Sequence, residues 1–539
     1  MTVAPAPALR TGAHVLVQAL EAHGVEVIFG LPGIHALPLW DALVPSPIRR
    51  IVVRHEQAAG FGAVGYARTG DRPGVYLTST GPGAFNSLAA LSEADASSAP
   101  VLHLTSQIPG DLVGANRGYL HESRGQSQAF AAVSRFHVRP ATPAALAEAV
   151  DEAFRRMAVD PGPATIEIAT DVMAAAAPEG AVRVTRVSPP APDPAAIARV
   201  KALVDAAEAP IIWAGGGARS AAADVRALAE ALDAPVLTTY NGKGALPSGH
   251  PLHAGSSVEE EAMRRLVERA DLCIALGTRF SQETTAAWTL AIPPALVQVD
   301  LDAGRFGRTY APAEGVVADV GLFCRALLAA GPTPGSRDGE AAVRAALQAR
   351  DVEVAGHAAP DEVELMHVLG AALPDDAIVI ADMTVAAYWA ALYLDAKGPG
   401  AFVYPSSGAL GCGVPLALGT AAAHPDRPTV AIVGDGGFLM GGHEVLTAAA
   451  EGLAFVTLVI NDSAYGILRN YQETTFGRTV GVELNAPDFA GLAAAYGVTY
   501  IRADGIPGLG AALADALADR SAPVLVELQA ALKAPGQSV

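Results

Sequence analysis

Cysteine is nearly absent from this chain: three in 539 residues, Cys273, Cys324 and Cys412. They are scattered without metal-ligand spacing, and so odd and sparse a set excludes a disulfide framework and fits a reducing compartment, so a cytoplasmic protein is expected. Basic residues are also short, 36 Lys and Arg against 55 Asp and Glu, for a net charge of −19. That balance argues against nucleic acid or an anionic membrane as partner. Hydrophobic residues make up 51% of the chain, but Ala supplies much of that share. No run of about 20 apolar residues long enough for a membrane span appears. The opening MTVAPAPALR lacks the apolar core of a secretory signal. An acidic chain that holds an anionic ligand needs arranged backbone N–H groups or a metal ion to do so.

What is present is a long alternation. Short runs rich in Val, Ile and Leu (IRRIVVRH, RPGVYLTST, APVLHLTS, APIIWAGGG, DLCIALGT, LVQVDLD, AIVIADMT, RPTVAIVGDGG, FVTLVIND) alternate with Ala-rich helical patterns. Continuous apolar strands between helices predict α/β architecture with mainly parallel sheets covered on both faces. Two stretches rich in Pro, Ala and Gly, near 188–197 and 329–340, read as linkers. They set off three doubly wound domains, expected at 1–180, 190–332 and 350–530. The first and third contain similar segments, GYARTGDRPGVYLTSTGPG and TAAAHPDRPTVAIVGDGG. Each reads as a helix, an Asp-Arg-Pro turn, a buried strand and a glycine-rich exit, as an old duplication leaves behind; chance similarity is the alternative.

The sharpest local signal lies in the third block. One strand ends in Gly434-Asp435-Gly436-Gly437, and the next ends in Asn461-Asp462-Ser463-Ala464-Tyr465-Gly466. Open α/β sheets bind ligands at the carboxyl ends of their strands. Glycines there admit phosphate oxygens to backbone N–H groups, and two Asp side chains offer hard oxygen ligands for magnesium. Gly-Asp-Gly-Gly alone is equally a tight turn; the paired strand ends favour the ligand reading. Gly215-Gly216-Gly217 does not complete a dinucleotide fingerprint and reads as a strand–helix turn.

With these motifs the chain resembles the thiamine diphosphate enzyme superfamily, in the branch of acetolactate synthases, benzoylformate decarboxylases and pyruvate decarboxylases. The resemblance covers all three blocks and implies a pyrimidine-binding, a central and a diphosphate-binding domain. It implies thiamine diphosphate and Mg2+ as cofactors, with the metal on Asp435, Asp462 and the carbonyl of Ala464. Asp462 stands where the family has the second Asn of a pair, and Asn461 is the less favoured register. RHEQAA resembles the family's activating motif, which gives Glu56 the proton shared with the aminopyrimidine; structurally, Glu56 also suits the first turn of a helix. YPSSGALGCGVPLALG resembles the stretch that bends the cofactor, implying Leu410 as the wedge and the Gly408 carbonyl as acceptor. Thr80, Gly81 and Asn86 resemble a turn near the pyrimidine, for which a plain strand–helix turn is the alternative. Cofactor contacts are implied for Thr384, Gly434, Gly436, Gly437, Tyr465, Gly466 and Ile467.

On the substrate side the resemblance implies Ile34, His35, Leu468 and Tyr471. His121, Glu122 and Gln126 lie where relatives place a catalytic His or Gln; a surface or turn role is the alternative for each His. His103, inside a strand, reads as structural. Pyruvate decarboxylases have a Glu at the position of Leu468 and a His pair where this chain has His121-Glu122. Acetolactate synthases have Arg-Phe-Asp-Asp-Arg where this chain has Arg279-Phe280-Ser281-Gln282-Glu283, so neither FAD nor biosynthetic acetolactate synthesis is supported. The implied activity is cleavage of a 2-oxo acid, a small-molecule partner, giving an aldehyde or, by carboligation, a 2-hydroxy ketone. The HE segment and the GIH turn look more like decarboxylases and carboligases acting on larger 2-oxo acids. An acetolactate synthase-type carboligase is the alternative, followed by a catalytically silent relative, which the presence of Glu56 and Asp435 disfavours. Homodimers or homotetramers with sites at the subunit interface are implied as well.

Overall fold

A computed structural model describes residues 10–177, 180, 182–333, 338–357 and 360–535. Three six-stranded sheets organise them. The first holds β1 (Val27–Gly30), β2 (Arg49–Val52), β3 (Gly74–Thr78), β4 (Val101–Gln107), β5 (Phe136–Val138) and β6 (Pro163–Ala169), in the order 2-1-3-4-6-5. The second holds β7 (Pro210–Ala214), β8 (Val236–Thr238), β9 (His253–Gly255), β10 (Leu272–Leu276), β11 (Ala295–Asp300) and β12 (Glu314–Val317), in the order 12-11-10-7-8-9. The third holds β13 (Ile378–Ala381), β14 (Phe402–Val403), β15 (Thr429–Gly434), β16 (Val456–Asn461), β17 (Thr499–Arg502) and β18 (Val524–Gln529), in the order 14-13-15-16-18-17. The pairings within all three are parallel.

Counted from its own first strand, the third sheet repeats the order of the first. The two similar segments occupy equivalent places, each supplying the third strand, β3 or β15. The apolar strands read as continuous runs because both faces are covered. In β7, Ile212 and Ala214 enter one core while Ile211 and Trp213 enter another, the alternation that a pleated strand imposes.

The chain divides into two compact units. One takes its described residues from 1–188, 405–425 and 440–453; the other takes them from 189–404, 426–439 and 454–539. Within the first, helix Glu56–Thr69 packs on helix Gly413–Ala423. A Cβ at Gly65 would run into the Leu416 carbonyl, so this close helix contact depends on glycine. Both proposed linkers run into helices. Pro194 opens helix Pro194–Ala206 with Asp193 as its cap, and helix Gly339–His357 begins inside the second stretch. Residues 334–337 of that stretch lie outside the described residues.

Candidate active site

In a sheet of this type the crevice lies where the chain order reverses, at the carboxyl ends of the strands. In the first sheet that point falls between β1 and β3. Strand β1 leads into Ile34, which is 59% exposed, and His35, which is buried; β3 leads into Thr80 and Gly81. Next to β1, strand β2 leads into helix Glu56–Thr69. His55 caps that helix by accepting from the Gln57 N–H at 3.2 Å. The buried Glu444 fixes its entry, accepting from the N–H groups of Arg54 at 2.9 Å and His55 at 3.2 Å. Glu56 is thereby the first helical residue, and its Oε2 accepts from Asn86 Nδ2 at 2.9 Å.

Gln126 is buried and fully engaged. Its Oε1 accepts from Gly81 N–H and Thr80 Oγ1, both at 2.8 Å. Its Nε2 donates to Glu167 Oε2 at 2.9 Å and to the Ser106 carbonyl at 3.3 Å. Two acceptor and two donor sites exhaust an amide, so Gln126 braces the turn. Glu167 is buried as well. Desolvation pushes its carboxyl up, but hydrogen bonds led by that of His137, at 2.6 Å, outweigh it and hold the pKa below the usual range. Glu122 likewise serves its own loop, accepting from the N–H groups of Gly118 at 2.7 Å and Tyr119 at 3.1 Å. His35 and His121 face one another edge to face with centroids 5.1 Å apart. His35 Nε2 lies 3.1 Å from the Leu120 carbonyl. Burial, and then the neighbouring His121, hold its pKa below the ordinary value, which favours the neutral ring. His121 occupies the left-handed region at φ 64, and its buried Nδ1 has no partner.

The loop after β14 presents Leu410. Gly408 and Gly411 on either side have φ of 74° and 73°, a conformation that glycine adopts without steric cost, and Leu410 is left 40% exposed. The loop is held from beneath by Glu93, which is fully buried. Its carboxylate accepts from the N–H groups of Ser406 at 2.9 Å and Ser407 at 2.8 Å, and from Ser407 Oγ at 2.7 Å. Arg68 Nη1, also buried, lies 3.4 Å from the same carboxylate. Nothing in the local sequence around Glu93 signals this role.

The third sheet repeats the logic. Its order reverses between β13 and β15, where Asp382 and Thr384 face the exit Gly434-Asp435-Gly436-Gly437. Asp382 is buried and accepts from the Met383 N–H at 2.7 Å; Thr384 caps helix Val385–Tyr393. Gly434 pairs with Ile460 across β15 and β16, so Asp435 and Asp462 leave adjacent strands at one sheet edge. Asp435 is 1% exposed and its Oδ2 has no hydrogen-bond partner. Burial foremost, with the Asp462 charge adding to it, pushes the Asp435 carboxyl up to about 6. Burial also raises Asp462, against the pull of Arg469. A Cβ at Gly466 would strike the Asp462 carboxylate.

Asn461 points elsewhere: its Nδ2 donates to Glu527 at 2.7 Å and its Oδ1 accepts from the Ser463 N–H at 3.1 Å. Ala464 bridges Glu483, but the bridge uses the Ser463 carbonyl and the Tyr465 N–H. The Ala464 carbonyl is therefore outside it. Beyond Tyr465 runs helix Gly466–Phe476, with Ile467 against the core, Leu468 46% exposed and Tyr471 half-buried.

An orphaned, desolvated carboxylate beside a second one is the arrangement that a divalent cation relieves. No group of three or more His, Cys, Asp or Glu suited to a metal occurs among the described residues. Two carboxylates and a carbonyl leave a magnesium octahedron to be completed by water and phosphate oxygens, which suits a diphosphate. The residues fit thiamine diphosphate with magnesium.

Comparison with known proteins gives the class. Family models of the thiamine pyrophosphate enzymes match the N-terminal TPP binding domain at residues 10–130, the central domain at 197–327 and the C-terminal TPP binding domain at 382–528. The chain belongs to the thiamine pyrophosphate enzyme family. Among its relatives is a probable 2-ketoarginine decarboxylase AruI of Pseudomonas aeruginosa, 34% identical over 90% of this chain and 88% of that one. A probable acetolactate synthase large subunit of Methanocaldococcus jannaschii is 30% identical over 90% of this chain and 86% of its own. The acetolactate synthase isozyme 1 large subunit of Escherichia coli is 29% identical over 90% and 88%.

At the switch point of the central sheet, between β7 and β10, the exits meet directly. A Cβ at Gly215 would run into the Gly277 carbonyl, and the Gly217 N–H donates to that carbonyl at 3.2 Å. The three glycines at 215–217 thus serve a tight turn, followed by the short helix Gly216–Ala221.

Proposed function

We propose that this enzyme uses thiamine diphosphate and magnesium to cleave the bond between the ketone and the carboxylate of a 2-oxo acid, releasing carbon dioxide. The product is an aldehyde or, when a second carbonyl compound takes up the remaining fragment, a 2-hydroxy ketone. Bound thiamine diphosphate supplies the carbon nucleophile and the electron acceptor. The observation that carries the reading is Glu56, a carboxylate fixed at a helix start by Asn86 beside the Thr80–Gly81 turn.

In this reading Glu56 shares the proton of the aminopyrimidine, and Asn86 orients its carboxylate. Asp435, Asp462 and the Ala464 carbonyl hold magnesium, and the N–H groups of Gly436 and Gly437 face the diphosphate, with Thr384, Tyr465, Gly466 and Ile467 around it. Leu410 wedges the cofactor while the Gly408 carbonyl accepts from its amino group. The neutral His35, paired with His121, gives or takes a proton at the reacting carbon. Ile34, Leu468 and Tyr471 line the substrate, and Gln126 and Glu122 hold the loops that carry these groups. Exposed Leu468 and Ile34 favour loss of the carboxylate by keeping its surroundings apolar. Three buried free thiols support a reducing, cytoplasmic setting. Dimers or tetramers of this chain complete the reading. A carboligase of the acetolactate synthase type is the second reading, favoured by the names of two of the relatives above.

The test supplies thiamine diphosphate, Mg2+ and a panel of 2-oxo acids, and follows carbon dioxide and organic product together. Glu56→Gln is expected to lower kcat by at least about 100-fold while still binding the cofactor. Unchanged turnover in that variant removes Glu56 from its role.

A further inference from the structure

Four residues to which the reaction gives no role converge with Tyr471 in one place. Tyr240 follows β8, Glu283 lies on the loop after β10, and Tyr388 is in helix Val385–Tyr393 after β13. Tyr404 follows β14, and Tyr471 is in helix Gly466–Phe476 after β16. All five therefore come from the carboxyl ends of strands, the ligand side of the second and third sheets.

Their geometry centres on Glu283. The Tyr404 hydroxyl donates to Glu283 Oε1 at 3.1 Å, and the Tyr240 hydroxyl donates to the Glu283 main-chain carbonyl at 3.2 Å. The rings of Tyr240 and Tyr404 meet edge to face at 5.2 Å, and those of Tyr388 and Tyr404 at 6.4 Å. Tyr240 and Tyr404 are buried, Tyr388 and Tyr471 are half-buried, and Glu283 is exposed. The Tyr404 hydroxyl thus holds the Glu283 side chain and the Tyr240 hydroxyl its main chain, with Tyr388 beside Tyr404. Burial is the first cause that raises the phenol pKa of Tyr388, Tyr404 and Tyr471. The charged side chains acting on them, Glu283 on all three and Asp382 on Tyr388, raise it further.

A carboxylate set among aromatic rings is the chemistry that recognises a cation, through charge-assisted hydrogen bonds and ring faces together. Its position is next to the reaction. Tyr388 is one helical turn beyond Thr384, and Tyr471 lies five residues into the helix that starts at Gly466, so both are about 6–8 Å along their helices from the diphosphate edge. Tyr471 is also three residues from Leu468, on the same helix face.

We propose that Glu283, with Tyr388, Tyr404 and Tyr471 around it, binds a cationic terminus, guanidinium or ammonium, on the side chain of the 2-oxo acid. The inference rests on the proposed 2-oxo acid chemistry and names its substrate class.

The experiment uses the holoenzyme with 5-guanidino-2-oxopentanoate, its uncharged isostere 5-ureido-2-oxopentanoate, 2-oxohexanoate and 2-oxoglutarate. A kcat/KM for the guanidino acid about 10- to 100-fold above that for the ureido acid is expected, the range of one charge-assisted hydrogen-bonded contact. Glu283→Gln brings that ratio to within about threefold of unity, through KM rather than kcat. Tyr471→Leu lowers the ratio in the same direction and serves if the first variant does not fold. Calorimetric titration with butylguanidinium and butylurea reads the same site without turnover, and the cation is expected to bind at least about tenfold more tightly. Equal turnover of guanidino and ureido acids, or a preference that survives Glu283→Gln, overturns the inference and leaves the 2-oxo acid reading intact. Absence of carbon dioxide from every acid overturns that reading instead, and the titration then still decides whether the cation site exists.

Discussion

The carboxylate of Glu93 accepts the main-chain N–H of Ser407 at 2.8 Å from a residue 314 positions away in the chain. That bond and its neighbours fix the loop whose tip is Leu410. A buried carboxylate engaged by two N–H groups, a hydroxyl and a buried guanidinium leaves no slack, so the loop is positioned before any ligand arrives.

Glu93→Gln keeps the shape but removes the charge that offsets buried Arg68. Loss of one member of a buried pair costs about 3–5 kcal/mol, and urea unfolding is expected to show a loss of that order.

With no cation bound, the desolvated Asp435 carboxylate is destabilising. Asp435→Asn is expected to raise the unfolding free energy of the magnesium-free protein by about 1–3 kcal/mol, since a desolvated charge is removed. The same variant is expected to lose the rise in Tm that magnesium and thiamine diphosphate together give the parent chain. A variant that still gains the full rise would take Asp435 out of the metal site.

Gly466→Ala places a methyl group against the Asp462 carboxylate. The side chain must turn away, so cofactor and magnesium affinity are expected to fall by about tenfold or more while the fold persists, with overpacking costing about 1–3 kcal/mol. Equilibrium binding of thiamine diphosphate at fixed magnesium checks it.

His103 makes acid stability pH-dependent. Fully buried, stacked on Tyr76 at 4.4 Å and 2.9 Å from Thr78 Oγ1, it has its pKa pushed down to about 3, by desolvation first. A depressed histidine contributes stability that is complete above its unfolded value near 6.5 and drains away as pH falls toward the folded value. Between pH 7 and pH 4.5 that loss amounts to about 3 kcal/mol. In His103→Gln the unfolding free energy is expected to be lower at pH 7 and to change less over the same interval.

The glycine and aspartate exits of the buried strands were legible in the residues. Glycine next to aspartate after a buried apolar strand marks a strand exit, because strand, turn and helix start are all set by neighbours in sequence; it took the second exit, at Asn461-Asp462, to favour a ligand there over a tight turn. The same is true of the three sheets, whose apolar runs and helical patterns need no distant partner to be recognised. Asn461 illustrates the limit, since its amide is held by Glu527, 66 residues away.

By itself, then, the sequence determined the α/β layering, the cofactor motifs and the pair Asp435 and Asp462, all of which depend on short-range pattern. Tertiary structure alone decided that Glu93 carries the Leu410 loop, that Gln126 holds the Thr80–Gly81 turn with its amide oxygen and Glu167 and Ser106 with its amide nitrogen, and that Glu283 lies among tyrosines from separate strands. The reason is that desolvation and hydrogen-bond satisfaction belong to the folded neighbourhood, where a buried polar group must find partners whatever their distance along the chain.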